Sequence, residues 1–209
     1  MKLCILGATG RTGIPLVRQA LDADHSVKAL VRSPTKMTIN HPNLEIVQGD
    51  VLDTESVEKA VEGTEAVLCV LGHAKASPDD LQTLAMRAVT AAMKKHNVRR
   101  LLDLTGAGVR DPEDRPKVFD RLVVAVLKLV SPKVLQDGVN HAAVIRESGL
   151  EWTIVRAPML TDGPRTGNYR VGLVGASSGS RISRADIADF MVKEIQERRH
   201  IGRMPMLSY

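Results

Sequence analysis

Lys2-Leu3-Cys4-Ile5-Leu6-Gly7-Ala8-Thr9-Gly10-Arg11-Thr12-Gly13 is the stretch from which the fold is read. Lys2–Leu6 reads as a buried strand, and a helix is expected over Thr12–Asp22, where Ile14, Val17 and Leu21 recur at helical spacing. Pro15 falls in the first turn of that helix, where a missing N–H costs little. Between the two elements, Gly7 permits a tight turn. Gly10, without a side chain, lets the backbone approach a pyrophosphate, and Gly13 lets the helix lie close on the sheet. The helix then presents unpaired N–H groups to phosphate charge. Strand, glycine turn and helix in this order are what a dinucleotide site requires.

The end of the second strand, Val27–Val31, bears on which dinucleotide. An acidic residue there would accept from a ribose 2′-hydroxyl and repel a 2′-phosphate. Arg32-Ser33 stands there instead, with Arg11 and Lys36 as further cations. A guanidinium suits bidentate contact with phosphate, so the expected cofactor is NADP(H). The third strand, Asn43–Gln48, ends in Gly49-Asp50-Val51. There Asp50 either accepts from the adenine amino group or caps a helix, and Val51 packs on the ring. The fourth strand, Ala66–Leu71, runs into Gly72 and His73, where backbone is expected to pass the cofactor ribose. His73 is an exposed loop residue or, given its strand-end position, a group with a part in the chemistry.

Strand and helix signals alternate along the rest of the chain. Asp53 is the expected N-cap of a helix, with Ser56 three residues on. Pro78–His96 reads as a long helix, Arg100–Leu104 as a fifth strand, and Val118–Val130 and Lys133–Ser148 as two helices hinged at Ser131-Pro132. Trp152–Arg156 is a sixth strand and Tyr169–Leu173 a short addition. Ser183 caps a final helix, Arg184–Arg198, with Asp186 in a capping-box-like position. Met204–Leu207 is expected only at a sheet edge because of Pro205. Leu122–Val130 is apolar nearly all round, which predicts burial in the core, over a pocket or against a partner chain. The alternation implies an α/β, Rossmann-type doubly wound parallel sheet with helices on both faces. The expected organisation is a single NAD(P)-binding domain over residues 1–209 with a small C-terminal substrate-side extension.

Composition agrees with that class. Aromatics are 2% of the 209 residues against 44% hydrophobic, so the core is aliphatic, as under parallel strands. The formal charge is +5, but no aromatic interleaving, zinc-finger spacing or arginine-rich tract accompanies it, which argues against nucleic acid and for a phosphate-bearing small molecule. Cys4 and Cys69 lie in apolar runs without metal-ligand spacing and read as buried free thiols. No apolar stretch is long enough for a signal peptide core or a membrane span, so a cytoplasmic protein without membrane contact is expected.

The segments ILGATGRTG, ALVRS, GDVLD, VLGH, AAMKKHNVRRLLDLT, VIRESGL and TDGPRTGNYRV…SRISRADIADFM together resemble the atypical short-chain dehydrogenases of the NmrA-like type, and within them the biliverdin-IXβ reductase/flavin reductase group. The resemblance covers almost the whole chain. It implies NADPH binding and hydride transfer to a flavin, quinone or tetrapyrrole-like acceptor by a monomer or weak homodimer. By match to the group's motifs, Gly7, Thr9, Gly10, Arg11, Thr12, Gly13, Arg32, Asp50, Val51, Leu71, Gly72 and His73 line the cofactor, and Thr105, Ala157, Pro158 and Met159 lie by the nicotinamide. Two positions depart from the group: Gly106 stands where it has Ser, and Met159 where it has His.

Thr105, Met159 and His141 are the catalytic candidates. Chemistry that needs a Tyr four residues before a Lys is excluded, because Tyr169 precedes Leu173 at that spacing and Tyr209 is the last residue. The pocket expected from Thr105, Gly106, Pro158 and Met159 lacks a strong acid, which predicts slow flavin reduction with little dependence on pH between about 6 and 8. The competing reading is an NADP(H)-binding redox-sensing regulator without robust turnover. A sugar-nucleotide epimerase would need a base and a larger substrate domain after Gly149.

Overall fold

Alternation along β1 (Lys2–Leu6) sets the layers: Leu3 and Ile5 enter one hydrophobic core, Cys4 and Leu6 the other, because successive strand side chains point to opposite faces. The computed structural model describes residues 1–74, 76–176 and 179–209. Around β1 lie β2 (Ser26–Val31), β3 (Leu44–Gln48), β4 (Ala66–Cys69), β5 (Arg100–Gly106) and β6 (Glu151–Ala157), all parallel, in the order β3-β2-β1-β4-β5-β6. Helices α1 (Gly13–Asp22) and α6 (Arg184–Glu197) supply Leu16, Val17, Ile187 and Met191 to the core of Leu3 and Ile5. The opposite core takes Val57 from α2 (Thr54–Val61), Met86 and Val89 from α3 (Leu81–Lys95) and Ile145 from α5 (Pro132–Glu147). The doubly wound sheet expected from the alternation is therefore the one observed.

Beyond β6 the sheet continues through β10 (Met206–Ser208), parallel to β6, to β8 (Arg170–Gly172), which runs antiparallel at the edge. A second sheet, which the sequence did not lead us to expect, pairs β7 (Met159–Thr161) with β9 (Arg181–Ser183) in parallel.

Two expectations are corrected. The last strand is not at an edge, because it begins after Pro205, whose carbonyl still accepts from the Arg156 N–H at 2.8 Å. The proline thus uses only the acceptor it has. The helix α4 (Val118–Val130) is not a core helix of the monomer either: Leu122 is 60% exposed and Leu129 84%. Among its described side chains none joins either core, and only Leu127 reaches the cavity described below. No helix of the described residues is long and apolar enough to cross a membrane.

Candidate functional site

The order β3-β2-β1-β4-β5-β6 reverses direction between β1 and β4, so a crevice opens where the chain leaves the C-terminal ends of these strands. Backbone geometry there is tight. Gly7 has φ +76°, and a Cβ on it would lie 2.8 Å from the Val70 carbonyl oxygen. A Cβ on Gly13 would lie 2.1 Å from the Gly7 carbonyl oxygen. One on Gly10 would meet only that same oxygen, at 3.1 Å, so its other side is free for a ligand. The N–H groups of Arg11, Thr12 and Gly13 have no acceptor among the described residues, as expected at the start of a helix. These unpaired donors beside a side-chain-free Gly10 fit a pyrophosphate.

On one side of the crevice a cavity of about 570 Å³ runs from Gly7, Thr9 and Gly10 past the ends of β2 and β3. Arg32, Ser33, Lys36, Asp50 and Val51 line it, and Leu71 and Gly72 close it. Arg32 reaches toward Asp50, with Nη1 4.0 Å from Oδ2, and its side chain stays 65% exposed. Asp50 does not cap α2. Its Oδ1 accepts from Leu52 N–H at 2.9 Å, and Asp53 caps the helix by accepting from Ser56 N–H at 3.0 Å. Val51 is buried, as a residue packed under a ring should be.

Across Val70, Leu71 and Gly72 a second cavity of about 520 Å³ begins. Thr12, His73, Thr105, Ala157 and Pro158 line it together with Leu160, Leu127 and Leu135. The Thr105 hydroxyl has no partner among the described residues. Gly138 brings α5 close to the floor, since a Cβ there would come within 3.0 Å of Val109 Cγ2. Gly106 has nothing within 4 Å of where its Cβ would be, so the position is open space.

Four expected residues fall outside both linings. Gly13 supports the turn from within the helix start. Arg11 points away to hydrogen-bond Asp162, which also accepts from Arg184 at 2.7 Å, and the Arg11 contact holds the Asp162 carboxyl below its usual range. Met159, expected against the ring, is 62% exposed on β7, and its neighbour Leu160 faces the cavity instead, because strand residues alternate. His141 is fully buried beneath the cavity. Its Nε2 lies 2.9 Å from Asp103 Oδ2 and its Nδ1 3.2 Å from the Asp137 carbonyl oxygen. Both neighbours are acceptors, so the ring is placed to carry two protons. Burial opposes that, but the Asp103 carboxylate outweighs it and raises the His141 pKa above the usual histidine value.

Sequence reasoning missed Gln82, Leu135 and Leu160 in the lining, and Asp137 behind it, whereas Leu127 belongs to the segment expected over a pocket. Gln82 Nε2 donates to the Leu71 carbonyl at 2.8 Å and so fixes the wall between the cavities. The nearest sequence signal was Asp137-Gly138 inside a predicted helix, a pair with low helix propensity.

Comparison with known proteins agrees with this geometry. The sequence profile of the NAD(P)H-binding family matches residues 7–198. YwnB of Bacillus subtilis is 27% identical, over 96% of this chain and 94% of its own length. A (4-alkanoyl-5-oxo-2,5-dihydrofuran-3-yl)methyl phosphate reductase from Streptomyces griseus is 26% identical over 96% of this chain and 65% of its own. Among solved structures, a candidate NADH-flavin reductase from Streptococcus pneumoniae superposes with a TM-score of 0.77 at 24% identity, covering 99% of this chain and 98% of that one. With the glycine turn, the strand order and the profile in agreement, the chain belongs to the NAD(P)H-binding family.

Proposed function

We propose that the protein is an NADPH-dependent reductase that passes a hydride to a flavin or similarly flat acceptor. The observation that carries this is the pair of cavities meeting at Val70–Gly72: one cationic at its far end, the other lined mostly by apolar groups. In the first, the helix-start N–H groups and Gly10 hold the pyrophosphate, and Val51 and Asp50 hold the adenine. Arg32, Ser33 and Lys36 take the 2′-phosphate. Arg11 joins them only by leaving Asp162.

When bound, the dinucleotide supplies the hydride at the boundary between the cavities. This chain's residues supply position and dryness: Thr105, Ala157 and Pro158 bound the reacting face, and Leu127 and Leu135 cover it. Cysteine chemistry has no part in it, because burial pushes the Cys4 thiol up to about 12 and Cys69 well above its usual value. Such inert thiols suit a cytoplasmic protein, the location we propose for a monomer or weak homodimer.

The test is NADPH oxidation against FMN, FAD, quinones and biliverdin, with Gly10→Trp as the control. Of the three loop glycines, Gly10 is the one whose substitution fills ligand space without driving a Cβ below 3.0 Å from backbone. Turnover with a flat acceptor in the wild type, absent in Gly10→Trp, is the expected result. NADPH binding with no acceptor reduced would instead support a redox sensor.

A further inference from the structure

Hydride transfer leaves the acceptor one proton short, and His73 is the one titratable side chain that lines the second cavity among the described residues. The sequence placed His73 beside the cofactor and assigned the pocket no strong acid. The structure adds what stands behind the ring. His73 Nε2 lies 3.0 Å from Asp137 Oδ2 and 3.3 Å from the Asp79 carbonyl oxygen. Its Nδ1 has no partner among the described residues.

Asp137 comes from α5 and its carboxylate is buried, with the side chain 1% exposed. Oδ1 accepts from Thr83 N–H at 2.9 Å and from the Thr83 hydroxyl at 2.5 Å, and Oδ2 accepts from Gln82 N–H at 2.8 Å. These are first-turn donors of α3, whose own N-cap residue Asp80 makes no side-chain capping bond. Asp137 therefore caps α3 from another helix, and the same bonds fix the oxygen that meets the imidazole. Among the described residues, other charges near the ring belong to Asp79, in the loop before α3, and Lys133 of α5, which pair at 2.7 Å.

We propose that His73 donates the proton that accompanies hydride transfer, with Asp137 as its positioning residue. Because Asp137 and the Asp79 carbonyl can only accept, Nε2 keeps its hydrogen in either charge state, and the exchangeable proton sits on Nδ1. A carboxylate that orients a histidine in this way selects tautomer and ring position together. The proposal rests on the hydride-transfer reading above. The acceptor atom that receives the electron pair takes the proton from Nδ1, so the Nδ1–H bond breaks as that atom's new bond to hydrogen forms. The imidazolium becomes neutral imidazole and regains its proton from solvent, which the 16% exposure of its side chain allows. The net change is acceptor plus NADPH plus one proton giving reduced acceptor and NADP⁺. The Ser and His of the resembling group, which Gly106 and Met159 replace here, are then not needed as donors.

The first test needs no turnover. ¹⁵N-histidine spectra of the cofactor-free protein at high pH should show neutral His73 as the Nε2–H tautomer, and Asp137→Asn, whose amide can donate, should remove that bias. A neutral ring in the Nδ1–H form, or a tautomer untouched by Asp137→Asn, would overturn the assignment. The second is kinetic, at saturating NADPH. His73→Gln should lower kcat on the order of 10²-fold and abolish the alkaline fall in rate that this proposal expects of the wild type, with NADPH affinity kept within about threefold. Asp137→Asn should lower kcat and flatten the same limb, and a melting curve checks that α3 has kept its cap. Wild-type kcat and pH profile in a folded His73→Gln would refute the proposal while leaving the hydride reading intact. If no acceptor is reduced by the wild type while NADPH still binds, both fall.

Discussion

The two cavities that meet at Val70–Gly72 are built on different physics. The first rests on backbone: its shape follows from glycines that admit no Cβ and from N–H groups at a helix start. The second rests on side chains carried by elements far apart in sequence, supported by the buried pair His141–Asp103 and by buried Asp137 behind His73 in the lining. A backbone site tolerates little change at its glycines and much around them. A side-chain site tolerates change at its open positions and little in its ionic supports.

The largest effect should come from Gly13. Its Cβ would fall 2.1 Å from the Gly7 carbonyl oxygen, a backbone atom that cannot step aside. Gly13→Val is expected to cost more than about 4 kcal/mol and to leave little folded protein, whereas Gly106→Ser, with open space at its Cβ, should stay within about 0.5 kcal/mol of wild type. Chemical denaturation of both variants checks the contrast, and equal losses would erase it.

Next is the ionic floor. His141→Ala leaves Asp103 buried without its partner and should cost about 3–5 kcal/mol near pH 6. Because the folded pKa of His141 is raised, the pair's stabilisation is fully present below the ordinary histidine range and is lost as pH rises through the raised value. The gap between wild type and variant should therefore narrow from pH 6 to pH 9. A gap that widens with pH would mean that His141 is held neutral.

A smaller effect tests the cationic end of the first cavity. NADPH should bind at least about tenfold more tightly than NADH, or about 1.4 kcal/mol, and Arg32→Asp should erase the difference. Calorimetry that finds equal affinities in the wild type would break the assignment. The smallest effect belongs to α4. Val123 and Val126 are 41% and 49% exposed, so Val123→Asp with Val126→Asp should change unfolding free energy by no more than about 0.5 kcal/mol. A large loss would show that this face is covered in solution.

Much of the first cavity was legible because it is local. Glycines at fixed offsets between a strand and a helix, and the residues closing β2, β3 and β4, name Gly7, Gly10, Arg32, Ser33, Asp50, Val51, Leu71 and Gly72 without knowledge of the rest of the chain. Even there Arg11 lies outside the lining: its ion pair with Asp162 depends on where the segment after β7 returns. In the second cavity Thr105, Ala157 and Pro158 were placed by family motif. Met159 was read one residue out of step, because β7 pairs with β9 and so turns Leu160 inward. The apolar helix α4 misled for a related reason, since composition shows that a face is apolar and not what, if anything, covers it.

Sequence alone determined the alternation of β1–β6 with helices, the doubly wound sheet and the phosphate turn, because periodicity and turn geometry are properties of neighbouring residues. Only the tertiary structure decided that Asp137 of α5 would cap α3 and meet His73, and that His141 would be sealed against Asp103. Those pairings depend on how one helix crosses another and how near α5 comes to β5. That approach is set by the volume of groups such as Gly138 and Val109, which come together only once the chain has folded.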